Sequence, residues 1–380
     1  MNKMNRHSTR QHGLSLIELL IASAIGLFLV LGVVEVFVNA RVLRAEVNAR
    51  QAMQEGARVA MSFIGDELRM SGYLGCFGSL GNRPLNILLS SPPASFQPWF
   101  GVQGWEASGT DWGAHIGPAA DLALIDVVEG GWEVAQAGHV LPSMSALPTS
   151  DLIRTWAVAG VPSPVVSVST APLEYAVSSV TDIRAGDMVL VSDCVRADIV
   201  QACELQAIPD TEQVLLRASQ SCSPGNRRDA VPLTTASTAA PAEAMRVQAT
   251  LFYVGRRGGV TANPPALFRR ALDDSGGLAA AEEIIEGVES LQLLYGVDSG
   301  AAASGQVGAY LSASEVTDFS RVVSVRVNLL MVSVGFASSG LRHDYNYHGA
   351  EYSGALSPND GRLRQSFEMT FHLRNRALGL

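Results

Sequence analysis

The residues best placed for chemistry lie near the start of the chain. Gly13 ends a leader whose charges are Lys3, Arg6 and Arg10, with no acid among them. An apolar run begins at Leu14 and continues to Val34, interrupted by Ser15, Glu18 and Ser23. An ordinary secretory signal carries its small-residue cleavage site after the apolar core, whereas here the distinctive glycine precedes it. Cleavage after Gly13 would leave the apolar segment on the mature chain and create an α-amino group on Leu14. Glu18 lies four residues on, about one helical turn away. A carboxylate in lipid is disfavoured by about 2.5–3.5 kcal/mol at a helix centre, so it calls for a counter-charge, and that amine is the natural one.

The segment Leu14 to Val34 has 21 residues, enough as a helix to cross a hydrocarbon core of roughly 30 Å. The basic leader puts its N-terminal side in the cytoplasm by the positive-inside rule. The organisation expected is a cleaved cytoplasmic leader at 1–13, a membrane helix at 14–35, its continuation outside at 36–72 and a globular region at 73–380. In that continuation Ala49, Met53, Ala57, Ala60, Met61, Ile64 and Leu68 recur at spacings of three and four, which makes one apolar stripe. Gly72 suits a C-terminal cap. Leu14 to Ser71 would be roughly 87 Å long if unbroken. Gly26 and Gly32 suit close helix approach in a bilayer.

The hexapeptide Gly13-Leu14-Ser15-Leu16-Ile17-Glu18 resembles the class III signal of type IV prepilins, although phenylalanine is usual at the position of Leu14. Downstream, Gln54-Glu55-Gly56-Ala57-Arg58 and Asp66 to Cys76 are similar to the minor pilin family called PilW. So are Gly287 to Gln292, Tyr295 to Asp298 and the terminal Leu373-Arg374-Asn375-Arg376. The resemblance implies cleavage between Gly13 and Leu14 by prepilin peptidase, N-methylation of Leu14, and a role for Glu18 in setting assembly register. It also implies an α+β lollipop: a long N-terminal helix whose outer half packs on an antiparallel sheet with large loop insertions. The expected partners are other minor pilins, the major pilin and the inner-membrane assembly machinery. The function implied is priming of filament polymerisation with a place near the pilus tip, supporting motility or adhesion. The location implied is the inner membrane, single-pass with a periplasmic domain, and then the filament. A J-type pseudopilin of type II secretion shares this signal, and a tip-displayed adhesin is the reading from another class.

Composition narrows the chemistry. The formal net charge is −9, and the loss of the three leader cations takes it to about −12, which argues against bulk nucleic-acid binding through phosphate neutralisation. The basic pairs Arg227-Arg228 and Arg256-Arg257 read as solvated loop residues. Lys3 is the sole lysine, so the mature chain has none for a Schiff base or a P-loop. No nucleophile elbow, zinc-protease or dinucleotide motif occurs, and the expectation is a non-enzyme without a cofactor or bound metal. His343, Asp344 and His348, with Tyr345 and Tyr347, are the one cluster that could hold a metal, and a solvated loop is the favoured reading. Asp273-Asp274 and Glu282-Glu283 match no calcium-loop spacing and read as acidic surface turns.

Cys76, Cys194, Cys203 and Cys222 all follow the membrane segment, in an oxidising compartment, and an even count reads as two disulfides. Three connectivities are open. Cys76 with Cys194, tying the helix end to the sheet, and Cys203 with Cys222, closing a local excursion, are preferred over a zinc site, since no CxxC pair is present.

From Gly75 to about Pro118, rich in Gly, Pro, Ser and Trp, a long ordered loop is expected, with its tryptophans as buried anchors. Strands are expected at 122–128, 152–158, 187–191, 212–217 and 247–254, with 234–241 as a linker. Val323, Val325, Val327, Leu329 and Met331 alternate with polar residues, as do Phe367, Met369, Phe371 and Leu373. Alternation means one covered and one wet face, and the stripe on residues 49 to 68 is the obvious cover. Long surface loops are expected at 299–308 and 335–361.

Overall fold

The computed structural model describes residues 15–77, 85–119, 122–178, 182–233, 242–261, 263–300, 304–335 and 343–377. Gly13, Leu14 and the linker 234–241 lie outside the described residues.

One continuous helix, α1 (Leu16–Met70), runs for 55 residues. Proline-free and rich in Ala, Leu, Glu and Arg, it keeps every backbone bond, and the two-period character of its sequence divides it. From Leu16 to Ala52 no residue is buried, whereas Met53, Gly56, Ala57, Ala60, Met61, Ile64, Gly65 and Leu68 are. That buried set is the expected stripe joined by two glycines, except that Ala49 is only half-buried at its margin. The helix stops where Ser71 leaves helical geometry and Gly72 adopts φ 74°, a left-handed conformation that glycine takes without steric cost. Its end is tied down by Ser71 Oγ donating to the Gly101 carbonyl at 2.8 Å and Gly72 N–H donating to Trp156 O at 2.8 Å.

The outer half of α1 lies on a four-stranded antiparallel sheet in the order Ala309–Leu311, Val288–Val297, Val322–Val332, Arg364–His372. Val325, Val327, Leu329, Met331, Phe371 and Leu373 form one core with the helix stripe. Two glycines set the distance of approach. A Cβ on Gly65 would stand 2.3 Å from Phe371 Cε1, and one on Gly56 would stand 3.0 Å from Met331 Cε. The expected alternation holds with two differences. Met369 is 47% exposed, because it sits on the edge strand beyond the reach of the helix. The opposite face, expected to be wet, is partly covered: Ser324 and Asn328 are buried, and Tyr347 Oη donates to Ser290 Oγ at 3.0 Å.

A second, 12-stranded sheet carries the insertions, with Ala242–Arg256 at its centre between Leu152–Thr170 and Met188–Ser192. All its pairings are antiparallel except that of Leu85–Ile87 with Ala197–Gln201, which is parallel. The Asp151 carboxyl group fastens the two sheets together. It accepts the Ala107 N–H from one sheet at 2.8 Å and the Leu293 N–H from the other at 2.8 Å.

Several local expectations need correction. Val102–Ala107 is a fully buried strand within the expected loop; Gly104 is required there because a Cβ would meet Tyr295 Oη at 1.9 Å. Of its tryptophans Trp105 is buried, but Trp99 and Trp112 are 38% and 52% exposed. The 122–128 stretch gives only Ile125–Asp126 as strand, followed by a 3-10 turn. The loop expected at 335–361 contains a hairpin, Tyr345–Tyr347 with Ala350–Tyr352.

Candidate processing and assembly site

Ser15 is the N-cap of α1, and its neighbours are arranged as a capping box. Glu18 N–H donates to Ser15 Oγ at 3.3 Å, and Ser15 N–H donates to Glu18 Oε2 at 3.2 Å, with the Ser15 hydroxyl 3.3 Å from the same oxygen. Two of the unpaired amides that open a helix are satisfied in this way. The geometry turns the Glu18 carboxylate back toward the N-terminus, onto the Ser15 N–H. Beyond it, every large apolar side chain from Leu16 to Val38 is more than half exposed in the isolated chain. Among the described residues this is the one helix long and apolar enough to cross a membrane.

At the far end of α1 the terminal motif has a structural task. Asn375 Nδ2 lies 3.2, 3.3 and 3.4 Å from the carbonyl oxygens of Arg69, Met70 and Ser71. These are among the carbonyls a helix C-terminus leaves without partners. The Gly287 to Gln292 motif forms the junction beneath. Glu289 receives two hydrogen bonds from Arg364, at 2.6 and 2.9 Å, and one from Ala119 N–H at 3.1 Å. Arg364 also pairs with Asp360 at 2.7 Å, and both Arg364 and Glu289 are buried. Asp298, closing the next motif, accepts Gly300 and Gly305 N–H and holds that turn. Its carboxyl is kept at about 2 by those backbone donors. Sequence reasoning singled out these motifs by resemblance; the buried Arg364–Glu289 pair and the Asp151 fastening carried no periodic signal.

The structure joins Cys76 to Cys194 and Cys203 to Cys222. The first bond ties the turn after α1 to the large sheet, and the second closes the hairpin of Glu204–Ala207 and Val214–Arg217. Among the described residues no three His, Cys, Asp or Glu side chains gather as a metal-binding group. His348, expected in a solvated loop, is instead buried beside Trp112, and burial lowers its pKa to about 4. Of the basic pair, Arg256 is buried and bonded to the Ala119 and Asn263 carbonyls, which corrects its reading as solvated, and Arg257 pairs with Glu283. Asp273 caps its own turn through Ser275 and Gly277 N–H.

Two family models match this chain. Residues 8–34 match the prokaryotic N-terminal methylation motif, and residues 251–375 match the type IV pilus-assembly protein W family. The second match covers the whole four-stranded sheet and Asn375. No curated protein sequence matches. Among solved structures, a type IV-like pilin from Thermus thermophilus is similar at 12% identity and a TM-score of 0.31, covering 85% of this chain and 96% of that one. A prepilin-type N-terminus implies processing by a peptidase and association with other pilins. With one signature at each end, the chain has a prepilin-type N-terminus on an apolar helix long enough to anchor it in a membrane, and a C-terminal third similar to the type IV pilus-assembly protein W family, which together support a role in type IV pilus assembly.

Proposed function

We propose that prepilin peptidase cuts this chain between Gly13 and Leu14 and that Leu14 is then N-methylated. Residues 14–35 span the inner membrane, residues 36–72 continue the stalk, and residues 73–380 form the periplasmic domain. With other minor pilins the protein primes filament polymerisation and comes to lie near the pilus tip, where it supports motility or adhesion. The observation that carries this reading is the capping box, which turns Glu18 back onto Ser15 N–H, one residue after the proposed new amine, at the head of a bare apolar helix. In low dielectric an ion pair between that carboxylate and the amine of an adjacent subunit is stronger than in water, which sets the axial register.

Intact mass and N-terminal sequencing of membrane-extracted protein, with and without the peptidase, test it. A chain starting at methylated Leu14 only when the peptidase is present is the expected result. A retained leader, or cleavage beyond Val34, refutes it. Gly13→Val blocks processing; Glu18→Ala leaves cleavage intact and depletes pili. Loss of exoprotein secretion with intact twitching would assign the chain to a type II secretion system instead.

A further inference from the structure

The four-stranded sheet ends in an edge with features that natural edges usually lack. Arg364–His372 pairs with Val322–Val332 over nine residues without a register shift, and it contains no proline, lysine or bulge. Proteins ordinarily blunt such edges, because a row of open N–H and C=O groups is a template for another strand. The ladder fixes which groups are open. Leu373 N–H donates to Val323 O and Ser333 N–H donates to Leu363 O, so the odd residues of this strand bond inward. The amides and carbonyls of Ser366, Glu368, Thr370 and His372 therefore point away from the sheet, and no backbone partner meets them among the described residues. Glu368, Met369, Thr370 and His372 are all exposed.

The direction of this strand limits what can join it. Met331, the ladder partner of Gln365, touches Gly56; Phe371 touches Gly65; Asn375 reaches Arg69 to Ser71. The strand thus runs alongside α1 and in the same direction. Two chains anchored in one bilayer carry their stalks the same way, so two such edges cannot meet antiparallel, which would send the stalks in opposite directions. They can meet parallel, by a half-turn about the strand direction, which lays the stalks on opposite faces of one continuous sheet.

We propose that the free edge at Ser366 to His372 docks a second membrane-anchored pilin-type subunit by adding that subunit's corresponding edge strand in parallel. The occupant is a different, less acidic chain, since a formal charge of −9 on the full chain, about −12 on each copy once the leader is lost, opposes self-association. Main-chain hydrogen bonds give such an interface its affinity. The inference rests on the pilin reading above.

Thr370→Pro in the full-length chain, expressed in its own cells, removes one outward N–H and leaves every bond to Val322–Val332 in place; edge strands tolerate proline in that orientation. Thr370→Val keeps the N–H. With mature mass and detergent-state melting unchanged, Thr370→Pro is expected to lower pilus number about tenfold, as the loss of an interfacial hydrogen bond allows, while Thr370→Val remains at the wild-type number. Normal piliation by folded Thr370→Pro overturns the proposal. Should that variant fold poorly, Thr370→Cys carrying a photo-crosslinker decides, because the native cysteines are all in disulfides. An adduct with another chain that has a processed, methylated N-terminus is expected. No adduct in piliated cells, or adducts with a second copy alone, overturns the proposal. Failure of the wild-type chain to be processed after Gly13 would strike the pilin reading itself, whereas normal processing with normal Thr370→Pro assembly strikes this inference only.

Discussion

Gly65→Ala puts the seating of the stalk on its sheet to a quantitative test. In an exposed helix interior, replacing Gly by Ala stabilises by about 1 kcal/mol. At Gly65 the new methyl would lie 2.3 Å from Phe371 Cε1, 2.8 Å from Cζ and 3.0 Å from Cδ1. Phe371 is 4% exposed and belongs to the same core as Ile64 and Leu68, so its rigid ring has little room to retreat. Overpacking of this kind costs about 1–3 kcal/mol, and the upper end suits a ring met face-on by a methyl. Steric cost exceeds propensity, leaving about 2 kcal/mol of destabilisation, or a melting point lower by about 4 °C at roughly 2 °C per kcal/mol. Gly56→Ala supplies the contrast on the same helix. There the nearest atom is the flexible Met331 Cε at 3.0 Å, which can swing aside, so propensity wins and the melting point rises by up to about 2 °C. Thermal unfolding of the detergent-extracted protein, followed by far-ultraviolet circular dichroism, reads both. Phe371→Leu should rescue part of the Gly65→Ala loss, with a coupling of at least about 1 kcal/mol. A Gly65→Ala protein that melts at or above wild type would refute the close packing of α1 on Phe371.

Arg364→Met leaves the Glu289 carboxylate buried beside a neutral side chain, which should cost about 3–5 kcal/mol; a chemical-denaturation midpoint unchanged from wild type would count against the pair. Burial raises the carboxyls of Glu106 and Asp151, to about 9 and about 8, and the charge of Asp151 adds to the first. Both acids keep protons in the folded chain that the unfolded chain has released, so their stabilisation is present at low pH and is lost as pH rises through those values. Between pH 7 and 9, above the ordinary range of histidine, the melting point should therefore fall, and Glu106→Gln should flatten the slope by up to about 1.4 kcal/mol per pH unit. Asn375→Ala should cost about 1 kcal/mol and loosen the last turn of α1, seen as faster amide exchange at Ser71 and Gly72.

How much of this was legible in the sequence depends on periodicity. The stripe from Met53 to Leu68 could be read because a helix lying on a sheet buries one face, and the last two strands because the helix covers one of theirs. Val288–Val297 gave no such pattern: nine of its ten residues are buried, on both faces, so polar Ser290 and Gln292 sit inside and the alternation disappears. Val102–Ala107 was masked by Gly104, whose place is set by a tyrosine nearly two hundred residues away. Leu152–Thr170 runs on through Pro162 and Pro164, beyond the expected strand at 152–158. At the candidate site, Gly13, Leu14 and Glu18 stood out by residue type alone. The return of Glu18 to Ser15 N–H needed coordinates, since a capping box in an apolar run also reads as simple membrane sequence.

The clasp between Asn375 and the end of α1 joins residues 306 positions apart. Synthesis delivers the stalk first and the last of its cover about three hundred residues later, so the final turns of α1 wait unclasped while those residues are made. Contacts of such long sequence separation form late, after a large loop-closure cost has been met. Until the final strand arrives, a chain stalled or clipped before Arg364 lacks Phe371 over Gly65 and the Asn375 clasp on the last turn of α1. Arrival of the last strand is thereby a condition for the final turns of α1 to be seated on Phe371 and held by Asn375.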